Sequence, residues 1–265
     1  MSKWLLAVVL AFAAASPGCA KGGTGKVRYV TTAEGNYAKG EAAIKAKDWV
    51  AASKYFNFVR VRFPYTGFAT MAELGLADAE FGAGEYISAI DSYKLFIRFH
   101  PSHERVLDGY VSYQIGAAYV KMLPGETWLL PPAAEKDQSP NEEARTELTK
   151  FITKYPGSKY RPEAEKLLLK ANTKLANHEW YAANFYWKRG KYLGAVLRLR
   201  RITEMYAGSA YDTRALHMLG RAYIKLAMPD RAKAAWTQLL TKYPTSDYAA
   251  AAKRELDKLG TTASR

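Results

Sequence analysis

The stretch RALHMLGRAYIKLAMPDRAKAAWTQLLTKYP, residues 214–244, decides the fold of this chain. It carries a small residue in each half, Gly220 and Ala232, and the bulky residues Trp236 and Leu239 follow the second one. Small residues let two helix backbones approach, while large side chains three and four positions away fill the groove between them. The second helix should end at the closing proline, which donates no backbone hydrogen bond and disfavours helix in the residue before it. The stretch therefore predicts a pair of packed helices.

The closing LLTKYPTS of this stretch, residues 239–246, has four counterparts earlier in the chain. They are VRVRFPYT (59–66), FIRFHPSH (96–103), FITKYPGS (151–158) and ITEMYAGS (202–209), the last with Ala207 where the others have proline. The five anchor positions, 64, 101, 156, 207 and 244, are separated by 37, 55, 51 and 37 residues. A helix–turn–helix unit of about 34 residues with a short linker fits the shorter intervals, and insertions explain the longer ones. In this register the chain resembles a tetratricopeptide-repeat protein.

The small and bulky positions recur in all five units. The small residues are Gly40 and Ala52, Ala77 and Ala89, Gly116 and Ala144, Ala183 and Ala195, and Gly220 and Ala232. The bulky residues are Phe56 and Val59, Tyr93 and Phe96, Leu148 and Phe151, Leu199 and Ile202, and Trp236 and Leu239. We predict an all-α fold, a tetratricopeptide-repeat superhelix of five helix pairs with about 10–11 helices and one continuous core.

The predicted superhelix covers residues 31–258, and a carboxyl-terminal tail follows at 259–265. The repeats are expected near residues 33–66, 70–103, 109–158, 176–209 and 213–246. The helical pattern over residues 159–189 fits either one long helix or two.

The first 20 residues, MSKWLLAVVLAFAAASPGCA, combine one positive charge, an apolar run over 4–15 and small residues before Cys19. This pattern is typical of a secretory signal, and the run is shorter than the about 20 residues that span a bilayer. Cys19, the only cysteine, follows Pro17-Gly18 as in a bacterial lipobox, so we expect residues 1–18 to be removed and Cys19 to carry a covalent lipid. The alternative is an ordinary signal peptide with an incidental cysteine.

Residues 19–30 are predicted to be a flexible tether that joins the lipid to the folded body, because Gly-rich segments behave as flexible coils. The string KGGTGKV, residues 21–27, is not a phosphate-binding loop, since Ala20 stands where that loop needs glycine and Val27 where it needs a hydroxyl.

The remaining residues give little support for catalysis, and we predict a protein that is not an enzyme and uses no cofactor besides the lipid. His100 and His103 flank Pro101 with one adjacent carboxylate, Glu104, which favours a capped turn over a zinc site. No serine elbow, glycine fingerprint or paired-acid motif is present. A further cluster of carboxylates is expected to form the solvated first turn of a helix: Glu142, Glu143 and Glu147.

The chain is strongly basic, with a formal net charge of +14 and a pI near 9.6. Nucleic acid is not expected as a partner, because an exported, lipid-anchored protein does not meet it. Anionic lipid headgroups or an acidic protein domain are the counterparts that such a charge favours.

Two longer stretches carry a more specific resemblance. Residues 62–121 hold the turn FIRFHPSH followed by the aromatic helix start DGYVSY, and residues 177–206, NHEWYAANFYWKRGKYLGAVLRLRRITEMY, run from an aromatic helix into a KRGKYLGAVLR segment. Over about residues 30–258 the chain resembles the outer-membrane β-barrel assembly lipoprotein family, the BamD-like proteins.

The resemblance implies a non-enzymatic scaffold on the periplasmic face of the outer membrane. It would bind unfolded outer-membrane proteins and, with the barrel component BamA and other assembly-complex lipoproteins, help to insert them. One alternative is a repeat lipoprotein that serves a secretin or pilus machine as a pilotin. Another is a cell-wall hydrolase, which would need a catalytic domain for which no residues remain.

The first helix of each tetratricopeptide pair faces the concave side of such a fold. In the first three repeats this rule predicts a substrate-peptide groove lined by Tyr37, Leu74, Asp78, Phe81, Tyr110 and Tyr113. By resemblance, the ligand would be the aromatic-ended terminal segment of an unfolded barrel protein. The alternative is that these aromatic residues only seal neighbouring repeats.

The stretch YWKRGKYLGAVLRLRR, residues 186–201, carries six basic residues and no acid. At 100° per residue Lys191, Arg198 and Arg201 share one flank of the helix, with Arg200 on the opposite flank. Mutual repulsion favours a partner that supplies carboxylates, and the resemblance places Arg198 in a paired contact with the barrel component. The alternative is a solvated basic face. If the flank is a docking surface, Arg198→Glu should weaken copurification of the barrel component much more than Arg200→Glu and leave thermal melting almost unchanged.

The insertion GETWLLPPAAEKDQSPN, residues 125–141, is longer than a plain repeat allows. Trp128, Leu129 and Leu130 are costly to expose to water, so they should fold back on the superhelix or meet a partner, and we favour folding back.

Overall fold

A computed structural model describes residues 27–123 and 133–262. These two ranges hold twelve α-helices, one short 3₁₀ helix and no strand, so the predicted all-α class is confirmed. The α-helices are α1 Ala33–Lys45, α2 Trp49–Arg62, α3 Gly67–Ala83, α4 Tyr86–Phe99, α5 Glu104–Leu107, α6 Tyr110–Lys121, α7 Ser139–Lys154, α8 Arg161–Lys188, α9 Tyr192–Met205, α10 Asp212–Lys225, α11 Pro229–Lys242 and α12 Ala249–Thr262, and the 3₁₀ helix is Ala133–Glu135. The helix count exceeds the predicted 10–11 because α5 and α12 lie outside the five expected pairs.

The chain divides into two compact units between Ala83 and Gly84. Unit 1 holds α1 to α3, and unit 2 holds α4 to α12. The second predicted pair, α3 and α4, is therefore shared between the units. A single continuous superhelix stays a prediction.

The three helices of unit 1 pack around the buried ring of Phe56 on α2. A Cβ atom added at Gly40 of α1 would lie 2.5 Å from this ring, and one added at Gly75 of α3 would lie 2.7 Å from it. Both distances are too short for any side chain. The two neighbouring helices can therefore approach α2 only because they present glycine to Phe56.

Unit 2 repeats this arrangement in the pairs α6 with α7, α8 with α9, and α10 with α11. A Cβ atom at Gly116 would lie 2.6 Å from Leu148, and one at Gly220 would lie 2.3 Å from Trp236. Every small and bulky position predicted from the sequence is buried. The register read from the sequence is confirmed.

Five helices end in the same way, and in each the C-cap residue, which stands just before the anchor position, is the final residue of the helical hydrogen-bond pattern. The final residue leaves helical geometry with φ between −121° and −137°, and its N–H still donates to the carbonyl four residues back. The N–H three residues further on then donates to the carbonyl of that final residue. The five final residues are Phe63, His100, Tyr155, Tyr206 and Tyr243. Tyr206 precedes Ala207 instead of proline, so this way of ending a helix does not depend on the proline ring.

Residues 161–188 form one helix, α8, which answers the question that the sequence left open. Its first half packs Ala164 and Ala171 against the α7 cluster around Leu148, and its second half packs Leu175 and Ala183 against the α9 cluster. At the carboxyl end α12 packs on α11 and continues past the predicted boundary at 258.

The predicted signal sequence and Cys19 lie outside the described residues, as do most of the tether and the apolar residues of the insertion, Trp128, Leu129 and Leu130. The expectations for them stay predictions.

Candidate docking site and peptide groove

A buried carboxylate on α8 organises the predicted docking flank. Glu179 Oε2 lies 3.2 Å from Nη1 of Arg198, and Glu179 Oε1 lies 3.0 Å from Nη1 of Arg201. Both arginines belong to α9, and about a third to two fifths of each of their side chains is exposed. An unpaired carboxylate at so buried a position is strongly destabilising, so the two guanidinium groups stabilise the contact between α8 and α9.

Helix α7 joins the same cluster through Glu142. The buried Tyr206 hydroxyl donates a 3.0 Å hydrogen bond to Glu142 Oε1, and Arg201 Nη2 lies 3.9 Å from the same oxygen. Burial and the hydrogen bond to Glu142 together raise the pKa of Tyr206 to about 12. Burial by itself lowers the pKa of Arg201, but the negative charge of Glu179 and further favourable contacts raise it above its usual value. The cluster ties three helices together.

These contacts correct two expectations from the sequence. The idea that the basic run needs carboxylates from a partner is wrong for Arg198 and Arg201, because Glu179 and Glu142 supply them within the chain. Glu142 lies in the first turn of α7 and is partly exposed, as expected, but it is not only solvated, since it also accepts the Tyr206 hydroxyl. The use of this flank for docking stays a prediction.

Apolar side chains lie beside the arginines on the solvent face of α9. Leu193 is 60% exposed and Leu197 is 57% exposed. Leu197 stands four residues after Leu193 and four residues before Arg201, so the three side chains share one stripe of the helix. Lys191, at the start of α9, is exposed as well. Apolar residues next to arginine are typical of the central part of a protein interface.

Arg200 lies on the opposite flank, as the sequence predicts, and forms an exposed ion pair with Glu204 at 2.8 Å. This makes Arg200 a matched control for Arg198.

Four of the predicted groove residues belong to unit 1. Tyr37 is partly buried, and its ring centroid lies 5.5 Å from that of Phe56 and 5.8 Å from that of Phe68. Leu74 is buried in the core, while Asp78 and Phe81 are partly buried. Tyr37 therefore contributes to the packing of its own unit.

The other two groove residues, Tyr110 and Tyr113, belong to unit 2. The ring of Tyr113 stacks on that of Tyr160 at 5.2 Å, and the ring of Tyr110 lies 5.6 Å from the same tyrosine. The Arg105 guanidinium sits 4.1 Å above the Tyr110 ring. Burial, followed by the charge of Glu163, raises the pKa of Tyr113. A role of these rings in peptide binding stays a prediction.

The turn at Pro101 behaves as a capped turn. His103 Nδ1 accepts the N–H of Arg105 at 3.1 Å, which starts α5. In the described ranges no three His, Cys, Asp or Glu side chains lie close enough together to hold a metal ion.

A family model described as outer membrane lipoprotein, YfiO, matches residues 31–239, which include every helix of the candidate docking site. The chain belongs to this family of outer membrane lipoproteins.

Curated relatives in several bacteria carry the name outer membrane protein assembly factor BamD. The chain is 27% identical to that of Neisseria meningitidis serogroup A over 257 residues, 94% of each chain. It is 26% identical to that of Xylella fastidiosa strain 9a5c over 91% of this chain and 82% of the relative. It is also 26% identical to that of Rickettsia prowazekii over 80% of each.

Two solved helical structures are weakly similar in fold. The TPR2AB domain of yeast Sti1, in its complex with pHSP90, aligns over 88% of this chain and 98% of its own with a TM-score of 0.40 and 18% identity. The MamA protein aligns over 81% and 96% with a TM-score of 0.34 and 16% identity. Among the described residues, no helix has both the length and the apolar character needed to cross a membrane.

Sequence reasoning missed Glu179, although the chain carries a signal for it. Glu179 is the only acidic residue between 166 and 203, a segment rich in lysine and arginine. It also stands four residues before Ala183, the small contact position of α8, so it lies on the face that meets α9. A lone acid on a core face, opposite a basic helix, predicts an ion pair between the helices.

Proposed function

We propose that this lipoprotein is a non-enzymatic scaffold for the assembly of outer-membrane β-barrel proteins. It is attached through a lipid on Cys19, lies on the periplasmic face, and brings unfolded barrel proteins to the barrel component BamA. The family match and the name of its relatives support the assembly role. The observation that carries the docking part is the stripe of exposed Leu193 and Leu197 beside two arginines that are held in place.

The arginines of this face are pre-positioned by Glu179. Because Arg198 uses only Nη1 toward Glu179, other N–H groups of its guanidinium can donate to a partner carboxylate. Holding the side chain in advance reduces the conformational entropy that binding would otherwise cost. A partner with an apolar centre and acidic rim fits this surface.

Crosslinked affinity purification from membranes tests the docking surface. Leu197→Asp places a charge at the centre of the stripe, and we expect it to lower the recovery of the barrel component at least about tenfold. Leu169→Asp is the matched control, because it makes the same change at another exposed leucine of unit 2. Equal recovery with both variants would contradict docking at α9. Recovery of a secretin instead of a barrel component would favour the pilotin alternative.

Photocrosslinking tests the peptide groove separately. Photoreactive residues are placed at Tyr37 and Phe81, which are both partly buried in unit 1, and at the exposed Lys253 of α12 as a control. We expect labelling of unfolded barrel proteins from the first two positions and not from the third. Labelling from neither Tyr37 nor Phe81 would leave these aromatic side chains with a packing role alone.

A further inference from the structure

The segment that follows the anchor is fixed along α2 of unit 1. The Arg28 N–H donates to the Tyr55 hydroxyl at 3.0 Å, and the ring of Tyr29 stacks on Phe58 with centroids 4.1 Å apart. The Asn36 side chain accepts the Val30 N–H at 3.0 Å and donates to the Val30 carbonyl at 2.8 Å. These contacts determine where the chain from Cys19 reaches the folded body, which is beside α2.

The distance from the anchor to this point is short. Cys19 and Val27 are eight residues apart in the sequence, so a fully extended chain between them spans at most about 28 Å. A lipid on Cys19 lies in the membrane, and the α2 side of unit 1 can therefore never be far from the headgroups. Helix α1 holds the same segment through Asn36 and Lys39, so the segment reaches unit 1 where α1 and α2 lie side by side.

The solvent face of α2 is both basic and apolar. Val50, Lys54, Asn57 and Val61 follow one another at helical spacing and are exposed, Val61 to 68%. The opposite faces of α2 pack against α1 and α3. The turn after the helix carries Tyr65 with its whole side chain exposed. Val50, Val61 and Tyr65 therefore expose apolar surface to water, and the polar side chains of Lys54 and Asn57 stand between the two valines.

The charges within the α2 segment have one sign, and the acid Asp48 caps the helix just before it. Residues 49–66 contain Lys54, Arg60 and Arg62 and no acid, and residues 19–30 add three basic residues and again no acid. Arg60 and Arg62 are exposed. Basic side chains between exposed valines and a tyrosine are the composition that binds the headgroup region of anionic bilayers, where aromatic and aliphatic groups insert and cations meet phosphate.

We propose that the solvent face of α2, together with Tyr65 and Tyr29, lies against the anionic phospholipid surface in which the protein is anchored. The lipid supplies the attachment, and this face sets the orientation of unit 1 on the membrane. The proposal rests on the lipid attachment of the family and is independent of docking at α9. An acidic protein could also meet a basic face, but a tether of at most about 28 Å keeps this face near the bilayer.

Vesicle binding by the full chain with Cys19→Ser tests the surface without the lipid. Vesicles of phosphatidylglycerol and phosphatidylcholine in equal parts are compared with vesicles of phosphatidylcholine alone. We expect binding to the anionic vesicles, weakened at least about tenfold by Arg60→Glu with Arg62→Glu. The control is Lys253→Glu with Arg254→Glu, which makes the same charge change on the exposed face of α12 in unit 2. Equal weakening by both pairs, or none by the α2 pair, would overturn the proposal.

A depth measurement on the lipidated protein tests the geometry directly. A nitroxide is attached through Val61→Cys or, as the control, through Lys253→Cys, in the chain anchored in the same anionic vesicles. We expect the label at residue 61 to meet dissolved oxygen more often, and a water-soluble nickel complex less often, than the label at 253. Melting curves of both variants establish that they are folded. Identical accessibility at the two positions would show that α2 does not touch the bilayer.

Discussion

At the scale of single residues, glycines set how closely the paired helices approach. Gly40, Gly116 and Gly220 each face a large side chain of the partner helix, and a Cβ atom at any of them would lie 2.3 to 2.6 Å from it. The contact at Gly220 is the least adjustable, because the indole Nε1 of Trp236 also donates to the His217 carbonyl at 3.0 Å. The ring cannot move away without losing that hydrogen bond.

We therefore expect Gly220→Ala to destabilise unit 2 by about 2 kcal/mol, since an extra methyl group in a packed core forces side chains out of their preferred positions. The measurement is urea unfolding followed by tryptophan fluorescence. Gly157→Ala is the control, because a Cβ atom at that turn position meets nothing within 4 Å. If Gly220→Ala lost no more free energy of unfolding than Gly157→Ala, the two helices would have room to separate.

Tyr206 gives the protein a dependence on alkaline pH. Its pKa is raised from the usual value near 10 to about 12 by burial and by Glu142. Because the folded state binds this proton more tightly, its contribution to stability is complete below about pH 10 and is lost as the pH rises toward about 12. We expect Tyr206→Phe to be less stable at neutral pH by about 1 kcal/mol, the net value of a typical hydrogen bond. Above pH 10 its free energy of unfolding should fall less steeply than that of the natural protein.

The measurement is urea unfolding at a series of pH values from neutral to alkaline. Tyr65→Phe is the control, because that ring is fully exposed, and its slope should match that of the natural protein. If the free energy of unfolding of Tyr206→Phe fell as steeply with pH as that of the natural protein, groups other than Tyr206 would cause the loss of stability at alkaline pH.

At the scale of elements, the ends of the helices explain why five segments of different sequence stop at equivalent places. The fourth ending lacks proline, yet Tyr206 adopts a φ of −121°, close to the −123° to −137° of the other four. The turn after it is stabilised by Asp212, whose carboxylate accepts the Gly208 N–H at 3.1 Å and the Tyr243 hydroxyl. The hydrogen bonds of Asp212 therefore stabilise the turn after this helix, which in the other repeats contains proline.

The contact between α8 and α9 depends on the Glu179 pair, so the expectation that Arg198→Glu leaves melting unchanged is revised. The substitution places a second carboxylate beside a buried one. Losing one partner of a fully buried ion pair costs about 3 to 5 kcal/mol. Because a third of the Arg198 side chain is exposed and Arg201 remains, we expect a loss of about 2 kcal/mol.

Thermal and urea unfolding of Arg198→Glu and Arg200→Glu measure this difference. Arg200→Glu removes only an exposed pair with Glu204, so its loss should stay below about 1 kcal/mol. Adding Glu179→Gln to Arg198→Glu relieves the repulsion between carboxylates, and the double variant should lose less than the sum of the two single ones. Additive losses would show that Glu179 and residue 198 do not interact.

The sequence predicts the helix pairs well because their contacts are local and periodic. Small residues, bulky residues and helix-ending prolines stand at fixed spacing, and each repeat supplies several of them. The site is harder to predict, because Glu142, Glu179 and Arg201 come from three helices whose facing sides depend on packing. The flank on which Arg198 lies follows from helical angles alone. The ion pair between Arg198 and Glu179 could not be predicted in this way, because the two residues belong to different helices.

At the scale of the whole molecule, each unit carries its own core and its own basic residues. Unit 1 follows the predicted anchor after a short segment, and residues 49–62 of α2 contain no acid. Unit 2 carries the cluster of Glu179 and the exposed leucines of α9. The proposed membrane face and the proposed docking face therefore belong to different units, and substitutions in one should leave the other function intact.

The anchor itself is tested by Cys19→Ser and fractionation of cell envelopes. We expect the variant to stay partly with membranes at low ionic strength, held by the basic face of α2, and to be released by about 1 M salt, where the Debye length falls to about 3 Å. The natural protein should resist the same wash, because buried acyl chains contribute about 0.8 kcal/mol per CH₂ whatever the salt concentration. A salt wash is preferable to an alkaline one, since Tyr206 and Tyr243 both have a pKa raised to about 12 and the fold loses stability above about pH 10. A variant that sediments wholly with outer membranes after the salt wash would show that Cys19 is not the anchor.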